Sequence, residues 1–258
     1  MIPKKIHYCW FGGNPLPESA KRCIDSWKKF CPDYEIIEWN ESNFDVNCCA
    51  YVREAYQAKK WAFVSDVARL SALVNQGGIY MDTDVEVVRP LDDLLDHDAF
   101  VCFESKSKIA TCLMACQTNQ PLFRGMLQLY DSLHFFREDG TNDQTTNVAR
   151  ITNYCGQHGL KLDGSQQTIA GMTIFPSDYF SPFDFDTGKM CQSSNTYSIH
   201  WFDATWFDPA MQYQKKLNWK LNKVMPKPMA YNVSRFVAIT KFNGIQEALR
   251  KLITRKSK

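Results

Sequence analysis

Residues 62–88 read AFVSDVARLSALVNQGGIYMDTDVEVV, and the rest of the chain is best understood from them. Phe63, Val67, Leu70 and Val74 recur at helical spacing and mark a buried stripe. Gly77 and Gly78 supply the positive-φ stop that such a helix needs at its C-terminal end. Ile79, Tyr80 and Met81 then read as a short buried strand that delivers Asp82 and Asp84 to its C-terminal edge. In open α/β sheets that edge is where ligands bind. Two carboxylates one residue apart can share a divalent cation, or a cation and a sugar hydroxyl. With nineteen aspartates in the chain, chance alone supplies such triplets, so the setting has to carry the assignment. Asp96-His97-Asp98 and Asp184-Phe185-Asp186 lack the helix, the glycine pair and the strand, and read as solvated loop acids.

The segment SDVARLSALVNQGGIYMDTDV resembles the Asp-x-Asp sugar-binding region of glycosyltransferase family 32. That family includes bacterial capsule and lipopolysaccharide sugar transferases and fungal mannosyltransferases, with the clostridial glucosylating toxins as more distant relatives. Its opening is also present as IPKKIHYCWFGGNPLP at residues 2–17. A looser match, SIHWFDATW at residues 198–206, resembles the family's closing element of a histidine followed by Ser-Trp. The resemblance implies an α/β fold of the GT-A nucleotide-sugar type, Rossmann-like, with a mostly parallel central sheet flanked by helices.

Composition suits one enzyme domain: 258 residues, 45% hydrophobic, bury a full core without being divided. No apolar run approaches the roughly 18 to 20 residues that span a bilayer. MIPKKIHYCW lacks the apolar stretch of a signal peptide, so a cytoplasmic location and reduced cysteines are expected. The ten cysteines include no Cys-x-x-Cys pair and read as small apolar residues. Charge is uneven. Residues 215–258 carry twelve Lys/Arg against one acid, whereas residues 1–214 carry 18 basic and 27 acidic groups. We therefore expect a domain at 1–214 and a basic extension at 215–258. In residues 244–258, Ile245, Leu249, Leu252 and Ile253 share a helical face amid basic residues. That pattern suits either an anionic membrane surface or packing on the domain itself. The acidic body and the lack of a recognition motif argue against nucleic acid.

Along the chain, residues 5–10 read as a strand and Ala20, Cys23, Ile24 and Trp27 as one helix face. Residues 34–39 read as the next strand, which makes a βαβ unit. Residues 40–52 read as loop and short helix. Strands are expected at 99–104, 109–116 and 171–175, with a helix over 122–136.

The resemblance also assigns roles. Asp84 is the direct metal ligand, Asp82 touches the metal through water or holds hydroxyls, and His200 is the third ligand. Imidazole favours Mn²⁺ over Mg²⁺. Asp66 and Arg69, one helical turn apart, hold the donor sugar. The bland alternative for them is an exposed salt bridge worth about 0.3 to 0.5 kcal/mol. Trp10, at the end of the first strand, is the platform for the base, and Trp206 lies over the sugar or leaving phosphate. Thr205 stands where the family has serine and keeps the hydroxyl. Asp143 and Gln144, within TNDQTTN at 141–147, resemble an element near the anomeric carbon of other retaining transferases. His7 reads as a structural histidine. The implied activity is a retaining, metal-dependent hexosyltransferase, using UDP-linked more than GDP-linked sugar. Its acceptor would be an oligosaccharide that is lipid-linked, as in capsule or lipopolysaccharide assembly. Two other classes fit an Asp-x-Asp after a strand. One is a haloacid-dehalogenase-like phosphotransferase with Asp82 as nucleophile, although that signature wants Thr or Val where this chain has Glu86. The other is a metal-dependent sugar-binding protein without catalysis.

Overall fold

The structure is a computed structural model that describes residues 1–203, 208–247 and 250. The chain forms two compact units, Met1–Pro182 with Cys191–Trp201, and Phe183–Met190 with Phe202–Lys258. The second unit thus takes in more than the basic extension at 215–258.

The first unit opens with β1 (Lys5–Cys9), α1 (Glu18–Phe30) and β2 (Glu35–Trp39). Next come α2 (Ala50–Gln57), α3 (Trp61–Gln76), β3 (Gly78–Met81) and β4 (Val85–Val87). They are followed by β5 (Ala99–Ser105), β6 (Lys108–Ile109), β7 (Leu113–Cys116), α4 (Pro121–Gln128) and α5 (Asn147–Gln157). The unit closes with β8 (Gln167–Ile169), β9 (Met172–Phe175) and β10 (Ser198–His200). The main sheet runs β2-β1-β3-β7-β5-β9-β8, with β6 paired on β5. β1 is parallel to both β2 and β3, and β5 is parallel to β9, while β7 runs antiparallel between β3 and β5. β10 and β4 form a separate antiparallel ladder. The result is a mixed sheet with helices packed against it, the α/β architecture expected from the sequence.

Alternate strand residues feed two cores, as a period of two demands. Tyr80, Val101 and Met172 point to the core under α2, α3 and α4, whereas Ile79, Met81, Phe100 and Cys102 point to the core that holds Trp27 of α1. Burial of this kind on both faces makes β3 apolar throughout. α3 is buried on more than the expected stripe: Val64, Ala68 and Leu73 are as inaccessible as Val67 and Leu70, while Phe63 is only half-buried. It ends where the sequence indicates, with the Gly77 N–H donating to the Leu73 carbonyl at 2.9 Å. Gly78 has φ +104°, and a Cβ there would lie 2.8 Å from the Lys5 carbonyl oxygen, so β1 can approach β3 only across a glycine.

Two expected elements differ. The helix over 122–136 stops at Gln128, because Phe135 must enter the core against Tyr51 and Phe63 and Phe136 bridges to Asn142. The strand over 109–116 is interrupted between Ile109 and Leu113, with its two pieces pairing β5 separately. His7 is structural as expected. It is fully buried, with one ring nitrogen 2.8 Å from the Gly77 carbonyl and the other accepting the Trp39 indole N–H at 3.1 Å.

The second unit contains α6 (Pro209–Leu221) and α7 (Lys227–Asn243), and Asp208 caps α6 by accepting the Met211 N–H. The Trp219 indole packs edge-on against Phe183 and donates to the Phe185 carbonyl. Of the expected apolar tail stripe, Ile245 is exposed, and Leu249, Leu252 and Ile253 lie outside the described residues. Among the described residues no helix is long and apolar enough to cross a membrane.

Candidate active site

The chain turns sharply after β3, with the Val85 N–H donating to the Asp82 carbonyl at 3.0 Å, so Asp82 and Asp84 both remain at the strand edge. From Val85 the chain continues as β4, which α1 holds in place: the Trp27 indole N–H donates to the Val85 carbonyl at 2.7 Å. β10 pairs with β4 so that His200 stands opposite Val85, and the Trp201 N–H donates to the Asp84 carbonyl at 2.9 Å. That register brings the imidazole to the aspartates, with Nε2 3.3 Å from Asp84 Oδ1. One ligand atom each from Asp82, Asp84 and His200 lie within 4.8 Å of one another. The sequence resemblance brought these three together, and the β4–β10 ladder is the physical reason they meet.

Burial disfavours the charge on Asp82, and the neighbouring Asp84 raises its pKa further, while Arg69 pulls it down. Burial also disfavours the imidazolium of His200, but the Cys112 sulfur and the Asp84 carboxylate outweigh it and raise that pKa. The site therefore concentrates negative charge, which a proton on His200 offsets and which a bound cation would offset in its place. Two hard oxygens and one imidazole suit a divalent cation such as Mn²⁺, so the residues present fit the expected metal.

Asp66 and Arg69 are not an exposed salt bridge. Both are buried, and Arg69 Nη2 lies 3.0 Å from Asp66 Oδ1 while Nη1 lies 3.2 Å from Asp82 Oδ1. Nη1 also donates to the Thr111 carbonyl at 2.8 Å, and the guanidinium sits 4.6 Å over the Tyr80 ring. Tyr80 in turn donates its hydroxyl to Asp82 Oδ1 at 2.9 Å. Arg69 thus joins the α3 carboxylate to the β3 carboxylate. Burial works against its charge, yet Asp82, Tyr80 and Asp66 hold it firmly protonated. Burial pushes the Asp66 carboxyl up to about 6 despite the pull of Arg69, and the Asn147 amide and the Arg150 charge also face it. An Asp82 already bound by an arginine and a tyrosine hydroxyl is a poor nucleophile, which weighs against the phosphotransferase alternative.

The other expected site residues sit differently. Asp143 is buried, and Arg137 and Arg150 both pair with it, while Thr145 donates to it through its N–H and hydroxyl. Burial opposes its ionisation, but the Thr145 bonds and the two arginines outweigh this and hold it at about 2. Its side chain is spent on shaping the 141–147 loop, and Gln144 beside it is exposed. Asp143→Asn should cost on the order of 2 kcal/mol at neutral pH. A carboxyl with a depressed folded pKa stabilises above its unfolded pKa, so the difference from the parent should shrink as pH falls from about 4 towards 2. Urea unfolding of both proteins across that range measures it.

Trp10 is half-buried. Its indole N–H donates to the Asn14 carbonyl at 2.6 Å, and its ring packs on the α1-side core, bracing the loop after β1. Thr205 and Trp206 lie outside the described residues. The acids of the two other Asp-x-Asp triplets are exposed. Cys112, Tyr80 and Thr111 were missed in the sequence: Tyr80 was legible as the residue two before Asp82 on the same face of β3, but nothing local marks the other two.

Residues 17–101 match the family described as glycosyltransferase sugar-binding region containing DXD motif. Over 143 residues the chain is 33% identical to inositol phosphoceramide mannosyltransferase 3 of Schizosaccharomyces pombe, covering 52% of this chain and 38% of that protein. It is 28% identical over 151 residues to a mannosyl phosphorylinositol ceramide synthase of Saccharomyces cerevisiae, covering 54% of this chain and 37% of that one. The chain thus spans less than two fifths of the length of either relative. A solved structure, PaToxG glycosyltransferase, superimposes with a TM-score of 0.49 at 17% identity, over 97% of this chain and 87% of that chain.

Proposed function

We propose that this chain, whose residues 17–101 match the glycosyltransferase sugar-binding region containing the DXD motif, moves a hexose from a nucleotide-sugar to a saccharide acceptor with retention of configuration. The observation that carries the reading is the joint geometry of two groups: Asp82, Asp84 and His200 converge within 4.8 Å, and Arg69 ties Asp82 to Asp66. The first group would hold a divalent cation, preferentially Mn²⁺, next to the donor diphosphate. When bound, such an ion supplies Lewis-acid neutralisation of the departing phosphate charge. Arg69 adds a fixed positive charge beside that position, in a site where water is scarce and electrostatics are strong. Asp66 accepts hydrogen bonds from sugar hydroxyls and so orients the ring. The leaving phosphate can assist same-face attack, so no protein nucleophile is required.

The acceptor we propose is lipid-linked, which agrees with the ceramide lipids in the names of the two fungal relatives. Those names do not support capsule or lipopolysaccharide, and we do not carry these two pathways forward. The enzyme would then work at the cytoplasmic face of a membrane. Residues 244–258 would touch anionic lipid there, at roughly 1 kcal/mol per basic residue. A donor screen reading free nucleotide in Mn²⁺ tests the transfer reading. Slow nucleotide release from one nucleotide-hexose is expected, and release from none would sink it.

A further inference from the structure

The second unit holds a helical hairpin whose burial runs against the rule for a water-soluble surface. Tyr213 of α6 meets Phe242 of α7 with ring centroids 5.9 Å apart, and the Lys241 ammonium lies 4.1 Å from the centre of the Tyr213 ring. The start of α6 thus faces the end of α7, and the two helices run antiparallel. α7 packs on α6 and buries small residues, Ala230, Ser234 and Ala238, spaced at i, i+4 and i+8. Such a stripe lets two helix backbones come close. The large apolar side chains go elsewhere. Met229 and Val233 are exposed and Phe236 is half-buried. These three sit at i, i+4 and i+7, about a third of a turn round the axis from the small stripe at about 3.6 residues per turn. A helix on an aqueous surface turns its large apolar stripe inward instead.

We infer that the outer face of α7 and the turn between α6 and α7 dock on an anionic lipid surface. The apolar side chains enter below the headgroups, and the lysines meet the headgroup phosphates. The inference rests on the membrane reading above and deepens it, by making the α6–α7 hairpin the docking surface rather than residues 244–258 alone.

Charge argues for lipid. Residues 209–246 carry seven basic side chains and no acid. Lys215 is buried and donates to the Phe202 carbonyl. The other six, Lys216, Lys220, Lys223, Lys227, Arg235 and Lys241, are exposed or half-buried. Five of these six are lysines, compact cations on flexible stems that can follow mobile headgroups. A fixed protein partner is gripped more often by arginine and aromatic anchors. The turn joins both features. Val224, 77% exposed, and Met229, 56% exposed, share residues 220–229 with the exposed Lys220, Lys223 and Lys227. Among the described residues no helix is long and apolar enough to cross a membrane, so the hairpin would lie in the headgroup layer.

The test is sedimentation of the full chain with vesicles of phosphatidylcholine alone and with vesicles containing about one third phosphatidylglycerol. The parent is expected to bind the anionic vesicles about tenfold or more tightly than the neutral ones, and less tightly as salt rises from about 0.1 M to about 0.5 M. Val224→Gln combined with Met229→Gln should weaken that binding about tenfold, through lost apolar burial. Donor hydrolysis and melting temperature should not move, because both positions are exposed. If that pair does not fold, Lys220→Gln combined with Lys223→Gln supplies the comparison, with a loss confined to anionic vesicles expected. Unchanged binding in the variants would overturn the inference and leave the membrane reading to residues 244–258. A parent that binds neither vesicle removes both. A lower melting temperature with unchanged binding would assign the stripe to packing within the chain. A dimer of the parent that Val224→Gln and Met229→Gln break would assign it to a second copy, and either result overturns the inference.

Discussion

Asp84→Asn is expected to lower Mn²⁺-dependent nucleotide release by about a hundredfold or more, a loss typical of removing charge stabilisation from a reacting group. The fold should not suffer. Asp84 and Asp82 repel each other at the end of β3, and Asp84 raises the pKa of its neighbour, so the neutral amide relieves that repulsion and offsets the loss of the Asp84 charge beside His200 Nε2 at 3.3 Å. A melting temperature close to the parent's is the expected companion result. Full turnover of the variant in Mn²⁺ would remove Asp84 from the metal position. A large drop in melting temperature would mean that its backbone and side-chain contacts matter more than its charge.

Arg69→Met carries the second large effect, and here stability and activity should fall together. Arg69 is almost wholly buried and pairs with Asp66 and Asp82 at once. Removing one member of a buried ionic set while leaving the other charges in place costs about 3 to 5 kcal/mol. Urea unfolding should show that loss, and donor hydrolysis should disappear. A change below about 1 kcal/mol would mean that the two carboxylates find water when the arginine leaves. Asp66→Asn separates the two roles of the cluster. It keeps the arginine and Asp82 in contact, so it should damage use of the nucleotide-sugar far more than binding of the bare nucleotide. Equal losses for both ligands would assign Asp66 to structure alone.

Much of the first half of the chain was legible because its signals are local. Helical spacing in α3, the glycine pair at its end and the apolar run of β3 each depend on residues that are near neighbours in sequence, and their geometry follows from backbone preferences. The β1-α1-β2 unit was readable for the same reason. The premature end of α4 at Gln128 was not, since helix propensity continues past it and only the demand of the core for Phe135 against Tyr51 and Phe63 ends the helix. Asp143 shows the same limit at the site. Its resemblance to an element near the anomeric carbon of other transferases implied a group turned towards substrate, whereas Arg137, Arg150 and Thr145 claim its carboxylate.

The sequence by itself determined that two aspartates leave a buried strand at the edge of an α/β sheet, with an Asp-x-x-Arg pair on the preceding helix. A strand buried on both faces has to be apolar, and a helix that turns straight into it needs the glycines. Only the tertiary structure decided that Arg69 reaches Asp82 as well as Asp66, and that His200 arrives at Asp84 on a strand paired with β4 more than a hundred residues earlier. The reason is physical: strand pairing and buried ion pairs join residues through space, and no periodicity along the chain records which distant partner each of them will meet.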